Sequence, residues 1–226
     1  MRLIDVPLRR SETALPADIL QFLKVANQRI DAYQQSCRVP GFVASRFEEV
    51  YRLLLAMKEE GPDQVTGFQG TRINGSRLRK IRLKETRFCE WGSGFGVVAS
   101  MASELGFQAC GIEIERELVE QARWLARDFS IDVHFHQGSF IPPGGERYAE
   151  RAYVDSVDGI AWLTTDAQSD LVERELAPDE FDIIFAYPWP DEERAIELLF
   201  LRFAAEGAVL ITQQANAELR VRRKVA

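Results

Sequence analysis

Phe88-Cys89-Glu90-Trp91-Gly92-Ser93-Gly94-Phe95-Gly96 is the stretch that decides the fold of this chain. An acidic residue and three alternating glycines stand between a short apolar run and an amphipathic stretch. That order is the form of a strand–turn–helix cradle. A side chain at Gly92, Gly94 or Gly96 would hold a ligand off the backbone, or oppose the positive φ that a tight turn needs. A helix opening just after Gly96 aims free N–H groups at the electron-rich atoms of whatever lies in the turn.

Spacing separates two kinds of cradle. A dinucleotide fold wants G-x-G-x-x-G, with its third glycine packing helix on strand. Here the third glycine comes one residue early and Val97 stands where that pattern needs glycine. The run Glu-x-Gly-x-Gly-x-Gly over Glu90 to Gly96 closely resembles class I S-adenosylmethionine-dependent methyltransferases. The resemblance implies S-adenosyl-L-methionine as cofactor, the glycine turn along its methionine part, and Glu90 holding its amino group directly or through water. Taken alone, the glycine turn has a second explanation, the close packing of helix on strand.

Residues further on fit the same cradle. Phe107 to Ile114 reads as a second buried strand with Glu113 near its end, 17 residues after Gly96. A carboxylate there accepts from both hydroxyls of a ribose. Glu115 follows two residues later, and only one of the two acids is expected to reach the ribose. The Gly-Ile-Glu context resembles the family's acidic strand end and selects Glu113. A third strand, Val133 to His136, runs into Gln137-Gly138-Ser139-Phe140. The family commonly has Gly-Asp at this corner, where the Asp accepts from the adenine amino group. Ser139 stands in its place, an uncharged acceptor. Phe140 either covers the adenine face or serves as a core aromatic. By this resemblance Glu90, Trp91, Gly92, Gly94, Gly96, Glu113, Ser139 and Phe140 line the cofactor.

Composition sets bounds. At 226 residues and 46% hydrophobic the chain buries one large core plus an accessory segment. Its apolar runs fall short of the ~20 residues that span a bilayer. The opening residues MRLIDVPLRRSE lack the apolar centre of a signal peptide. Cys37, Cys89 and Cys110 have no metal-ligand spacing, and two of them fall in buried strands. They read as core thiols of a reducing, cytoplasmic compartment. His134 and His136 share a strand face without a third ligand nearby, so a metal is not expected.

The chain divides in two. Residues 1–66 read as an N-terminal helical extension or lid, with apolar residues at helical spacing from Ala17 to Gln35 and from Phe47 to Met57. Residues 67–226 hold the cofactor-binding domain. There the alternation of strand and helix predicts an α/β, doubly wound, mostly parallel Rossmann-like sheet. Phe181 to Tyr187 and Gly207 to Thr212 supply two more strands, with a helix over Glu193 to Ala205 between them. Only 14 residues follow Thr212, where the resembling family has a helix and a hairpin. About six strands are expected, the last antiparallel at an edge. Residues 140–180 form an acidic insertion, with ten Asp/Glu against three Arg, suited to a recognition loop or a solvated flap.

In open α/β sheets ligands meet the carboxyl ends of the strands. The loop after the fourth strand, Tyr187-Pro188-Trp189-Pro190-Asp191-Glu192, therefore faces the methyl acceptor the resemblance implies. Tyr187, Trp189 and Asp191 are the candidate catalytic residues. Enzymes that methylate exocyclic base nitrogens place Asn or Asp where Ala186 stands. Bacterial tRNA guanine-N7 methyltransferases have Pro-Trp-Pro followed by basic residues. Here three carboxylates follow, which repel a phosphate backbone. The net charge of −7 points the same way, although basic residues cluster from Arg72 to Arg87 and from Arg220 to Lys224. The first of these clusters enters the first strand at its amino end and reads as a solvated face or a docking patch.

The expected activity is methyl transfer to a small molecule or a protein side chain. The alternatives are a tRNA or nucleic-acid methyltransferase, a non-catalytic protein that binds S-adenosylmethionine, and a nucleotide-dependent oxidoreductase. Val97 and the lack of room for a substrate domain after residue 212 argue against the last.

Overall fold

A computed structural model of the protein describes residues 1–7, 10–36, 45–60, 86–148, 176–188, 192–214 and 218–226. Its elements in chain order are β1 (Arg2–Asp5), α1 (Ala17–Ser36), α2 (Phe47–Glu60), β2 (Arg87–Trp91), α3 (Val97–Glu104), β3 (Gln108–Glu113), α4 (Arg116–Asp128), β4 (His134–Gln137), β5 (Ile183–Ala186), α5 (Glu193–Phe203), β6 (Val209–Gln213) and β7 (Leu219–Val225). The strands form one sheet in the order β1-β7-β6-β5-β2-β3-β4. Neighbours from β4 through to β6 pair parallel, and β7 is antiparallel to both β6 and β1. The strand order reverses at β2, so the glycine turn that follows β2 sits at the switch point where such sheets bind ligands.

Two-residue alternation sorts the core into two layers. Phe88, Ile183, Phe185, Val209 and Ile211 face one side, where they pack with the apolar stripes of α1, α2, α3 and α4. Cys89, Trp91, Cys110, Ile112, Ile184, Ala186 and Leu210 face the other, against Ala195, Ile196, Leu199 and Phe200 of α5. Helices on both faces of a mostly parallel sheet make the fold doubly wound. Fully buried Phe22, Leu53, Leu54 and Met57 show that α1 and α2 are walls of the same core as α3 and α4.

One expectation needs correction. The N-terminal residues do not begin as a helix: Arg2–Asp5 is a strand that pairs with β7 and brings the sheet to seven strands, in keeping with the expected count of about six. Consequently β7 lies inside the sheet, with β1 at the edge. Four residues are too short to carry a periodicity, and their pairing depends on a strand more than 200 residues away. The basic C-terminal run lies within the strand expected there, and Arg222, Arg223 and Lys224 are buried, at 4%, 6% and 2% exposure. Arg222 pairs with Glu197 of α5, the Lys224 ammonium donates to the Ala204 carbonyl, and Arg220 forks onto Asp5 at 2.8 and 3.2 Å. Insertion of β7 between β6 and β1 removes Arg222, Arg223 and Lys224 from water, and for Arg222 the Glu197 carboxylate offsets that desolvation.

Cys89 and Cys110 are buried free thiols in the second layer, as core residues should be; burial pushes the Cys89 thiol well up. Among the described residues no group of three His, Cys, Asp or Glu is placed to hold a metal, and no helix is long and apolar enough to cross a membrane. Cys37, residues 149–175 of the acidic insertion, and the Arg72 to Lys84 basic residues lie outside the described residues.

Candidate functional site

The turn after β2 is built by its backbone. The N–H groups of Gly92 and Ser93 both donate to the Ile112 carbonyl of β3, at 2.9 and 3.0 Å, and Gly96 N–H returns to the Ser93 carbonyl at 2.7 Å. Gly92, Gly94 and Gly96 all lie in the left-handed region, at φ 68°, 53° and 66°. Only glycine adopts that conformation freely.

The glycines differ in what surrounds them. A Cβ on Gly96 would stand 2.2 Å from Phe135 Cε1 and 3.0 Å from the Ala122 Cβ. Gly96 is therefore the point where β4 and α4 close on the turn. A Cβ on Gly92 meets nothing within 4 Å. The packing explanation thus accounts for Gly96, while open space over Gly92 is what an approaching ligand requires.

Two buried carboxylates bracket the turn. Glu90, the penultimate residue of β2, is 5% exposed and accepts the Ala99 N–H at 2.8 Å. Gly96 has no side chain to cap α3, so Glu90 supplies that acceptor from the strand and sits against the positive end of the helix. Glu113 ends β3 at 7% exposure. One of its oxygens accepts Gly94 N–H at 2.7 Å and the other accepts Glu115 N–H at 2.9 Å. Its carboxylate thereby ties the first cradle strand's turn to the second strand's end. The carboxylate keeps acceptor capacity for a hydroxyl donor.

These carboxylates carry strained charge. Desolvation is the largest influence on Glu90, and the nearby Glu113 carboxylate adds to it; backbone N–H groups of Ala99 and Val98 offset only part, leaving its pKa at about 8. Glu113 is likewise raised by burial, against hydrogen bonds from Glu115, Gly94 and Ile114. Two buried acids, each opposing the ionisation of the other, favour a cationic guest. Between them Ser93 is 5% exposed, and its hydroxyl has no hydrogen-bond partner among the described residues. Spacing alone does not single out Ser93, because a serine between two glycines is also the commonest of turn residues.

The corner after β4 comes to the same place. Gly138 N–H donates to the Glu113 carbonyl at 2.9 Å, which sets Ser139 beside the end of β3. The Ser139 hydroxyl accepts Ile141 N–H at 3.2 Å. Half-buried Phe140 stacks on Trp91, with ring centroids 5.1 Å apart and planes 9° apart. Trp91 itself is buried in the second layer, with its side chain on the opposite face of the sheet from Glu90. Glu90, Gly92, Gly94, Glu113 and Ser139 are thus brought together, while Trp91 supports Phe140 from below.

Of the candidate catalytic residues, Tyr187 follows β5 at the carboxyl edge, half-buried against the first layer. Trp189 and Asp191 lie outside the described residues. Glu192, at the start of α5, is 7% exposed. Sequence reasoning gave Tyr33 no part in the site, placing it only on the apolar stripe of α1. Its hydroxyl donates to Glu117 at 2.9 Å and its ring meets Phe95 edge-on at 5.5 Å.

No family model and no curated protein matches the chain in sequence. Solved structures do resemble it. An RNA methyltransferase from Salinibacter ruber, in complex with S-adenosyl-L-homocysteine, is 17% identical over 62% of this chain and 80% of its own, with a TM-score of 0.41. An O-methyltransferase from Bacillus cereus, in complex with the same product, is 12% identical over 89% of this chain and 67% of its own, at 0.47. A methyltransferase from Geobacter sulfurreducens is 13% identical over 94% and 92%, at 0.44. Identities and TM-scores this low leave the site to be read from its own residues. The sheet order, the helices on both faces and the turn at the switch point give this chain a doubly wound, Rossmann-like α/β fold.

Proposed function

We propose that the protein binds S-adenosyl-L-methionine in the turn after β2 and transfers its methyl group to a small-molecule or protein acceptor. The observation that carries this reading is the pair of buried carboxylates, Glu90 and Glu113, on either side of a turn whose Gly92 opens onto free space. The residues fit the ligand. A sulfonium and an ammonium offset the cost of ionising the two buried acids, whereas the pyrophosphate of a dinucleotide would add to it. Glu113 has acceptor capacity left for a ribose hydroxyl beside the Gly94 and Glu115 N–H groups it already accepts. Ser139 and Phe140 stand at the corner where the adenine would lie.

The cofactor supplies an electrophilic methyl on a positively charged sulfur. The chain's own residues align and exclude water. Glu90 holds the ammonium, Glu113 fixes the ribose, and the glycine turn lets the backbone come close, so that the acceptor meets a donor already oriented. Tyr187, with Trp189 and Asp191 of the same loop, is assigned to the acceptor. A general base is required only for an acceptor that still holds its proton, and Asp191 or Glu192 is placed in sequence to serve. The acidic loop suits an uncharged or cationic acceptor better than a polyphosphate backbone. The cytoplasm is the compartment this reading assigns.

Isothermal calorimetry with S-adenosylmethionine and S-adenosylhomocysteine tests the reading. Heat of binding to both is expected, and S-adenosylhomocysteine should accumulate with a library of acceptors. Saturable binding without turnover on any acceptor would move the protein to the non-catalytic class, and no binding at all would remove both. Replacing Glu113→Ala should weaken cofactor binding by roughly 1–3 kcal/mol through loss of a charged acceptor. Unchanged affinity in a folded Glu113→Ala protein would take the ribose role away from this residue.

A further inference from the structure

α1 docks along α4 at three points. Phe22 meets Phe129 edge-on at 5.2 Å, Arg29 pairs with Asp128, and Tyr33 reaches Glu117. Only the last of these touches the cofactor turn. The Tyr33 ring stands edge-on to Phe95, which lies between Gly94 and Gly96 and is 1% exposed. Its hydroxyl donates to Glu117, in the first turn of α4, two residues beyond the Glu115 whose N–H is bound by Glu113. One side chain therefore touches both segments that Glu113 joins: the glycine turn, through Phe95, and the helix that follows β3, through Glu117.

We infer that Tyr33 is a positioning residue for the cofactor, clamping the Gly92–Gly96 turn against the start of α4 so that the Gly94 N–H and the Glu113 carboxylate stay in register. This rests on the function proposed above and assigns to α1 a part in that same site. The physical need is clear from the turn itself. Three consecutive alternate glycines with left-handed φ have no side chains to hold them. Phe95 is the turn's one large apolar anchor, and Tyr33 is the aromatic on α1 that packs against it. Loosening that anchor leaves the turn's hydrogen bonds intact on average but samples wider geometries, which lowers the fraction of molecules competent to bind.

The test uses the full chain and four variants: Tyr33→Phe, Tyr33→Ala, Glu117→Ala and Glu117→Gln. Hydrogen exchange of the peptide spanning residues 90–96, read on the free protein, reports the clamp without any ligand. Faster exchange is expected in Tyr33→Ala and Tyr33→Phe, with Glu117→Ala matching Tyr33→Phe. Glu117→Gln, which keeps a carbonyl acceptor, should restore near-wild-type exchange. S-adenosylhomocysteine titrated by calorimetry should bind about tenfold more weakly to Tyr33→Ala and about threefold more weakly to Tyr33→Phe, from one aromatic contact and one exposed hydrogen bond. A purely structural tyrosine would lower the melting temperature while leaving both readouts unchanged at a temperature where every variant is folded. That outcome overturns the inference. If wild-type protein fails to bind the homocysteine product, the proposed function falls and the exchange measurement alone decides whether Tyr33 holds the turn.

Discussion

Gly96→Ala should destabilise the fold by about 2–5 kcal/mol, a large part of the ~5–15 kcal/mol available to a domain of this size. Two costs combine. A left-handed φ of 66° is unfavourable by about 1–2 kcal/mol for any residue with a Cβ. The new methyl would also lie 2.2 and 2.3 Å from Phe135 ring carbons and 3.0 Å from the Ala122 Cβ. Phe135 is 4% exposed in the first layer and Ala122 is fully buried, so neither moves aside without disturbing the core. Overpacking of this kind costs about 1–3 kcal/mol. Urea denaturation measures the sum. Gly92→Ala is the internal control, because its φ is equally left-handed but its Cβ meets nothing. It should lose only about 1–2 kcal/mol, the conformational cost alone. Its effect should appear instead in the cofactor titration. A Gly96→Ala protein within 1 kcal/mol of wild type would mean that Phe135 yields, and the distinction drawn between the two glycines would fail.

Glu90→Gln is expected to separate stability from binding. In the free protein the Glu90 pKa is about 8, raised from an ordinary carboxylate value near 4.5. Below pH 4.5 the residue is protonated in folded and unfolded chains alike, and it exerts no pH-dependent effect. Between pH 4.5 and 8 the unfolded chain ionises while the folded one holds its proton. Folding then becomes less favourable as pH rises, by a few kcal/mol in all at about 1.4 kcal/mol per unit. Glutamine keeps an oxygen for the Ala99 N–H but carries no charge. The variant should therefore be more stable than wild type at pH 8, by roughly 1–3 kcal/mol, and should lack this slope between pH 5 and 8.

Binding should move the opposite way. A ligand ammonium beside Glu90 favours the ionised carboxylate, so wild-type affinity for S-adenosylhomocysteine should rise between pH 6 and 8 as less proton must be displaced. Glu90→Gln should bind about 1.5–3 kcal/mol more weakly, without that rise. Denaturation and calorimetry at matched pH values check both halves. A variant that bound as tightly as wild type would show that Glu90 serves only to cap α3, and the charge argument for the site would lose half its basis.

The local chemistry of the cradle was legible in the linear chain because every part of it is local. Alternating glycines announce positive φ, the β2 and β3 runs announce burial by their length and composition, and an acid at the end of β3 stands a short, fixed distance from the turn. From these, the parallel two-sided sheet, the turn at the switch point and the carboxylates Glu90 and Glu113 all follow. The loop that should meet the acceptor was legible only as a composition, because no spacing rule links Tyr187 to a particular acceptor.

What the tertiary structure decided is long-range. Arg2–Asp5 becomes the seventh strand only because β7 offers it a partner, and Arg222 and Lys224 are buried only because that strand and α5 close over them. Gly96 matters for Phe135 of β4, and Tyr33 for Phe95 and Glu117, through contacts between segments whose sequences hold no trace of one another. The physical reason is the same each time. Backbone conformation is set by each residue and its immediate neighbours, whereas the partner of a side chain is whichever group the folded layers bring to it.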